Sequence, residues 1–145
     1  MADGSNEPVL VSLSAPSRRS LIDGLVRAVA PGAARVLDLD TASEPEIADF
    51  LAEIAHTDGG FVARIGVGTP QISSARAAER ALAIIAATAA ALCGDDIRTA
   101  LRSPDIAFLT SLKPPAIEAV RTVLLAIETN DPGELAAGLA ILDPR

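Results

Sequence analysis

The chain has 145 residues, half of them hydrophobic, with 19 acidic and 12 basic side chains and a formal net charge of -7. This length fits one domain with its own core, and the acidic charge argues against a nucleic-acid binder, which needs clustered Lys and Arg. We therefore expect a lead of residues 1–8 and a single domain over residues 9–145 that makes no contact with nucleic acid.

The rare residues limit the chemistry further. Cys93 is the only cysteine and His56 the only histidine, and the chain has no Trp or Tyr. An intrachain disulfide is excluded, and a zinc site would need unusual ligands. We expect no metal and no cofactor. The longest apolar run, residues 81–93, is too short for a membrane span, and the N-terminus lacks the pattern of a secretory signal. These features predict a cytoplasmic protein that does not enter a membrane.

Strands and helices alternate in the first half of the predicted structure. Residues 9–13 form an apolar run that predicts a strand, followed by a polar loop to Ser20 and an amphipathic helix over residues 21–30. Residues 33–39 predict a second strand. Ser43 and Glu46 have the spacing of a capping box, which begins a helix that ends near His56. Residues 61–67 predict a third strand. This order is typical of a parallel sheet with right-handed crossovers, a β-α-β-α-β unit over residues 9–69.

The second half is predicted to be mainly helical. We expect a long helix over residues 73–92 that ends at Gly94, and a short helix over residues 95–101. Residues 106–110 fit either a fourth strand or a short buried turn. A strongly apolar helix over residues 115–128 would form a hairpin with a last helix that Asp131 caps. The predicted fold class is α/β, with a three- or four-stranded mostly parallel sheet and crossover helices, followed by a helical C-terminal half.

The predicted ligand site lies at the carboxyl ends of the strands, where open α/β sheets bind their ligands. Its residues follow the first, second and third strands: Ser14, Ser17, Arg18, Arg19; Asp40, Thr41; and Arg64. Hydroxyls, a helix N-terminus and arginines would suit a phosphoester or nucleotide. The alternative is that the serines only cap a helix and that the arginines are solvated.

The segment Ser17-Arg18-Arg19-Ser20-Leu21 after the first strand resembles the phosphate loop of AAA-type P-loop nucleoside triphosphatases, with Arg18 at the place of the family's lysine. The resemblance covers residues 9–69 and rests on the order of elements. Ser12 and Ser17 stand at glycine positions, Arg19 stands where the magnesium-binding hydroxyl belongs, and residues 61–67 contain no acid. The resemblance therefore implies a degenerate, non-catalytic relative. A flavodoxin-like phosphate binder begins with the same elements, but no Trp or Tyr is present to flank a flavin.

Catalytic signatures are weak in this chain. A hydrolytic triad would join His56 to Ser12, Ser14 or Cys93 with Asp58 as the acid, a geometry that a sequence does not settle. A histidine near a helix C-terminus more often interacts with the helix dipole, and a cysteine in an apolar run is more often an inert core thiol. We therefore favour a protein that is not an enzyme.

The apolar C-terminal helices predict an interaction module. The predicted helix over residues 115–128 has a wider apolar surface than a peripheral helix buries, so either it is central to the monomer or it meets another subunit. The candidate interface residues are Ile117, Val120, Leu124, Ile127 and Leu139. The expected partner is a second copy of the chain, as a homo-oligomer, or a larger bacterial protein, since an Arg-rich, Lys-poor and Ala-rich composition is typical of GC-rich bacterial genomes. The alternative function is a small-molecule binding protein or enzyme with its site at the strand ends.

Overall fold

The computed structural model describes residues 20–57, 59–67 and 72–142. The first strands and helix are β1 (Val26–Ala28), β2 (Arg35–Asp38), α1 (Glu44–Ile54) and β3 (Phe61–Ile65). The later elements are α2 (Ser74–Cys93), α3 (Ile97–Arg102), α4 (Ile106–Thr110), α5 (Pro114–Val123), β4 (Leu124–Thr129), α6 (Pro132–Gly138) and a 3-10 turn, Ala140–Leu142.

A four-stranded sheet in the order β1-β4-β3-β2 forms the centre of the described structure, and every strand pair in it is parallel. Helices connect β2 to β3 and β3 to β4, and most of the chain after β3 is helical. The predicted α/β class, with a parallel sheet and crossover helices, is therefore confirmed.

Local capping signals located the helices well. Ser43 and Glu46 form both hydrogen bonds of a capping box at the start of α1. Ser73 caps α2, and Gly94 ends it in the left-handed conformation. Asp131 caps α6 by accepting from the backbone N–H of Glu134. The second and third predicted strands are also present, as β2 and β3.

The predicted helix over residues 21–30 is wrong. Residues 21–25 form bends and turns, in which Gly24 has a φ of 65°, and residues 26–28 form strand β1. Leu21 and Leu25 are buried in the core, and β1 pairs with β4 at the edge of the sheet. The apolar spacing of this segment thus reflects a buried turn followed by a strand. The predicted strand over residues 9–13 lies outside the described residues.

The predicted helix over residues 115–128 is also wrong in its second half. Helix α5 ends at Val123, and the chain continues directly into β4, which lies between β1 and β3 in the sheet. The helical hairpin is therefore absent, because a strand separates α5 from α6. Residues 106–110 form helix α4, capped by Asp105, and the fourth-strand interpretation is wrong.

A bulge shifts the register where β4 begins. Phe61 pairs with Leu124 and Val62 with Ala126, so Leu125 is an extra residue on β4. Leu124 and Ile127 both lie in the core although they are three residues apart. The bulge therefore places Leu125 and Ala126 on the other face of the sheet, where Leu125 is exposed.

Helix α2 is central to the helical layer and contacts α1, α3, α5 and α6. Its alanines allow close approach, as at Gly138 of α6, where an added Cβ would lie 2.9 Å from the Ala78 Cβ. Helices α1 and α3 both pack against α2, and the three helices border a groove. Among the described helices, none has the length and apolar character needed to cross a membrane.

Candidate functional site

Asp40 joins the carboxyl ends of two neighbouring strands. It follows β2, and its carboxylate accepts hydrogen bonds from the backbone N–H groups of Gly66 (2.9 Å) and Val67 (3.0 Å), just after β3. The Asp40 side chain is completely buried, whereas Thr41 beside it is exposed. A buried carboxylate requires such partners because charge is costly to remove from water. Asp40 therefore holds the carboxyl ends of β2 and β3 together.

Arg80 of α2 completes this arrangement. Its Nη1 donates to Asp40 Oδ1 (3.1 Å) and to the backbone oxygen of Leu39 (3.4 Å). The Arg80 side chain keeps 32% of its surface exposed. Among the described residues, none supplies a hydrogen-bond acceptor to its Nε or Nη2. Asp40 thus holds a guanidinium that still has donors to offer.

Two halves of a groove meet at Arg80. The inner half, between α1 and α2 at the end of β2, has a volume of about 270 Å³. The outer half, beside α3 and α4, has a volume of about 500 Å³. Both halves are lined by Arg80, Ala83 and Leu101, so they adjoin along these three residues. The apolar walls are Leu39, Ala42, Ile47 and Ile84 in the inner half, and Leu82, Pro104 and Ile106 in the outer half.

An ion-pair cluster joins the two walls of the groove. Glu44 at the start of α1 accepts from Arg98 (2.9 Å) and from Arg102 (2.8 Å), both on α3. Hydrogen bonds from Arg102 and then Arg98 hold the pKa of Glu44 below its usual value of 4.5. Glu44 is therefore ionised at neutral pH. It links α1 to α3, so the opening of the groove has a defined width.

Arg64 lies in a different cluster, which the sheet register builds. Asp38, Arg64, Glu128 and Arg27 are in register on the four strands, so their side chains share one face of the sheet. Glu128 has 1% of its side chain exposed and pairs with Arg64 (2.9 Å) and Arg27 (3.0 Å). The structure thus holds Arg64 on Glu128 and Asp40 on Arg80, in two separate clusters.

The pKa of Glu128 reflects opposing influences. Burial by itself raises it, but hydrogen bonds from Arg64, Arg27 and the Ala30 backbone outweigh burial, so the pKa lies below its usual value of 4.5. Glu128 is therefore ionised at neutral pH and ties β1, β4 and β3 together. Sequence reasoning missed Glu128 and Arg27 because it placed both in helices.

The remaining residues predicted for the ligand site and the interface have different outcomes. Ser14, Ser17, Arg18 and Arg19 lie outside the described residues. The predicted interface is not a surface, because four of its five residues lie in the core of the single chain and Ile117 is half-buried. The four core residues are Val120, Leu124, Ile127 and Leu139. Association with a partner stays a prediction, but these four side chains cannot mediate it.

One candidate nucleophile and the candidate base lie at the surface, whereas Ser12, Ser14 and Asp58 lie outside the described residues. Cys93, expected in the core, is exposed at the end of α2, and His56 is exposed after α1. Within the described part of the chain, no group of three His, Cys, Asp or Glu side chains could hold a metal ion. Phe61 is buried and makes an edge-to-face contact with Phe50 at 5.1 Å, whereas Phe108 is exposed.

Sequence analysis named Asp40 as a ligand-binding residue because it follows a strand at the edge where ligands bind, and this role stays a prediction. It did not single out Arg80, the ion-pair partner of Asp40. Arg80 is 40 residues away, on an Ala-rich helix whose pattern reports only burial. The signal available in the sequence was Arg80 itself. It follows Arg76 by about one helical turn and interrupts a mostly apolar helix.

Comparison with protein-family profiles, with curated proteins and with solved structures finds no match to this chain.

Proposed function

We propose that the protein binds a small, mostly apolar molecule in the groove between α1, α2 and α3. The observation that carries the proposal is that the two groove halves adjoin at Arg80 and that each has apolar side chains in its walls. Small-molecule sites are concave, mainly apolar, and contain a few fixed polar groups. The groove lies at the carboxyl end of β2, the edge at which the sequence predicted a ligand site.

The rigidity of the walls supports the same proposal. Asp40 fixes Arg80 at the centre of the groove, and the Glu44 cluster fixes α3 against α1. A site that is formed before binding loses less conformational entropy when a ligand enters. Both clusters keep charged side chains ordered around the groove. The packing of the hydrophobic core does not require either cluster.

A substitution at Ala83 tests the proposal, because this residue lines both halves. We expect 1-octanol to bind the wild-type chain at one saturable site, measured by isothermal titration calorimetry. Ala83→Trp would fill the groove and weaken binding about tenfold or more, a change of about 1.4 kcal/mol. Ala75→Trp, on the exposed surface of the same helix, is the matched control and would bind as the wild type does.

Two results would contradict the proposal. One is the absence of saturable octanol binding to the folded wild-type chain. The other is equal octanol affinity in the wild type and in a folded Ala83→Trp variant, since the ligand would then occupy another surface.

A further inference from the structure

We infer that the ligand of this groove is an amphipathic anion, a carboxylate with an unbranched apolar tail, whose head group binds Arg80. The inference rests on the proposed function and adds the chemical class of the ligand. Its basis is the position of one partly exposed guanidinium at the point where two groove halves with apolar side chains in their walls adjoin.

The donors of Arg80 are suited to a carboxylate. Nη1 is used by Asp40 and Leu39, and the described residues leave Nε and Nη2 without an acceptor. These two nitrogens lie on one side of the planar guanidinium and match the two oxygens of a carboxylate. Because Asp40 already holds the guanidinium, binding would not have to order it.

The charges around Arg80 allow an anion to approach. Asp40 borders the inner half, but its side chain is fully buried against Arg80 and the backbone N–H groups of Gly66 and Val67. Glu44 is engaged by Arg98 and Arg102, which add two positive charges at the rim. The remaining acid is Glu79, which lines only the outer half and is exposed. Repulsion from Glu79 disfavours an anionic head group in the outer half and favours one at Arg80.

The inner half then receives the tail. Its accessible apolar walls include Ile47 of α1 and Ala83 of α2, with the buried side chains of Leu39 and Ile84 at the base. Each methylene group removed from water contributes about 0.8 kcal/mol in favour of binding. A carboxylate head group at Arg80 with its tail between α1 and α2 would use the guanidinium and the apolar walls of the inner half together.

A matched ligand pair tests the head group. We expect octanoate at pH 7 to bind the wild-type chain about tenfold more tightly than 1-octanol, because a hydrogen bond to a charged group adds to the same tail burial. Arg80→Gln would abolish this preference, so that the variant binds octanoate and 1-octanol with similar affinity. Glu79→Gln is the control and would keep the octanoate preference or increase it.

The outcomes distinguish the claim that the ligand has an anionic head group from the claim that the groove binds apolar molecules. Equal affinity for octanoate and octanol in the wild type, or a preference that persists in Arg80→Gln, would overturn the anionic head group and leave the apolar groove standing. Absence of binding by both ligands would overturn the groove as well. If Arg80→Gln fails to fold, Arg80→Lys is measured instead. It keeps the charge but loses the planar pair of donors, so a retained tenfold preference contradicts the paired contact and a reduced preference supports it.

Discussion

Single buried carboxylates determine the local geometry of this protein. Asp40 and Glu128 are each almost completely removed from solvent, and each is paired with arginines that stay partly exposed. A buried carboxylate without partners would be strongly destabilising. The pairing therefore fixes the arginines as much as it satisfies the acids, and one of those arginines, Arg80, faces the groove.

The contribution of one buried carboxylate, Glu128, to stability can be tested by substitution. Glu128→Gln removes the charge that binds two arginines, and we expect it to lower the free energy of unfolding by about 2 kcal/mol at pH 7. The pKa of Glu128 is lowered in the folded chain, so its contribution is present above the unfolded-state value and is lost as the pH falls through the folded-state value. The difference between the wild type and the variant should therefore shrink below about pH 4.5.

Urea unfolding at pH 7 and at pH 3 measures this difference. Glu79→Gln, a change at an exposed carboxylate, serves as the control and should alter stability little at either pH. A gap between wild type and Glu128→Gln that is as large at pH 3 as at pH 7 would show that Glu128 stabilises the sheet by packing rather than by charge.

The junction of α5 with β4 depends on Gly60, the residue directly before β3. A Cβ on Gly60 would lie 2.5 Å from the Val123 oxygen and 2.6 Å from the Thr122 oxygen. These are backbone atoms at the end of α5, so they cannot rotate away. The absence of a side chain at Gly60 lets β3 begin beside the turn from helix to strand.

Substitution at this junction should be costly. We expect Gly60→Ala to lower the free energy of unfolding by about 2 kcal/mol, because the backbone of α5 would have to move. Gly32→Ala is the control, since a Cβ there meets no atom within 4 Å, and it should change stability by less than about 0.5 kcal/mol. Thermal or urea unfolding compares the two, and equal effects would contradict the close approach.

Over the whole molecule, the capping signals located helices correctly, whereas the two strands β1 and β4 were not predicted. The caps of α1 and α2 are visible as Ser43 and Ser73, so these helices could be predicted from a few neighbouring residues. Strands β1 and β4 could not, because their state depends on each other and on β3. Residues 124–129 continue an apolar helical pattern, and pairing in the sheet overrides that preference.

The same limit explains what was missed of the site. Asp40 was predictable from its place after a strand. The groove was not, because its walls come from α1, α2 and α3 and its central guanidinium is set by an ion pair across 40 positions of sequence. The predicted interface failed for a related reason, since the wide apolar surface of residues 115–128 belongs to a helix and a central strand that are both packed in the core.

The isoleucine methyl groups give the most direct measurement of the central claim, that an apolar molecule binds between α1, α2 and α3. Ile47 and Ile84 line the inner half of the groove, while Ile127 lies in the sheet and Ile141 is exposed on the final turn. A methyl NMR titration with octanoate should shift the first two resonances saturably and leave Ile127 and Ile141 unchanged. Shifts confined to Ile141, or no saturable shift at any of the four, would contradict the account.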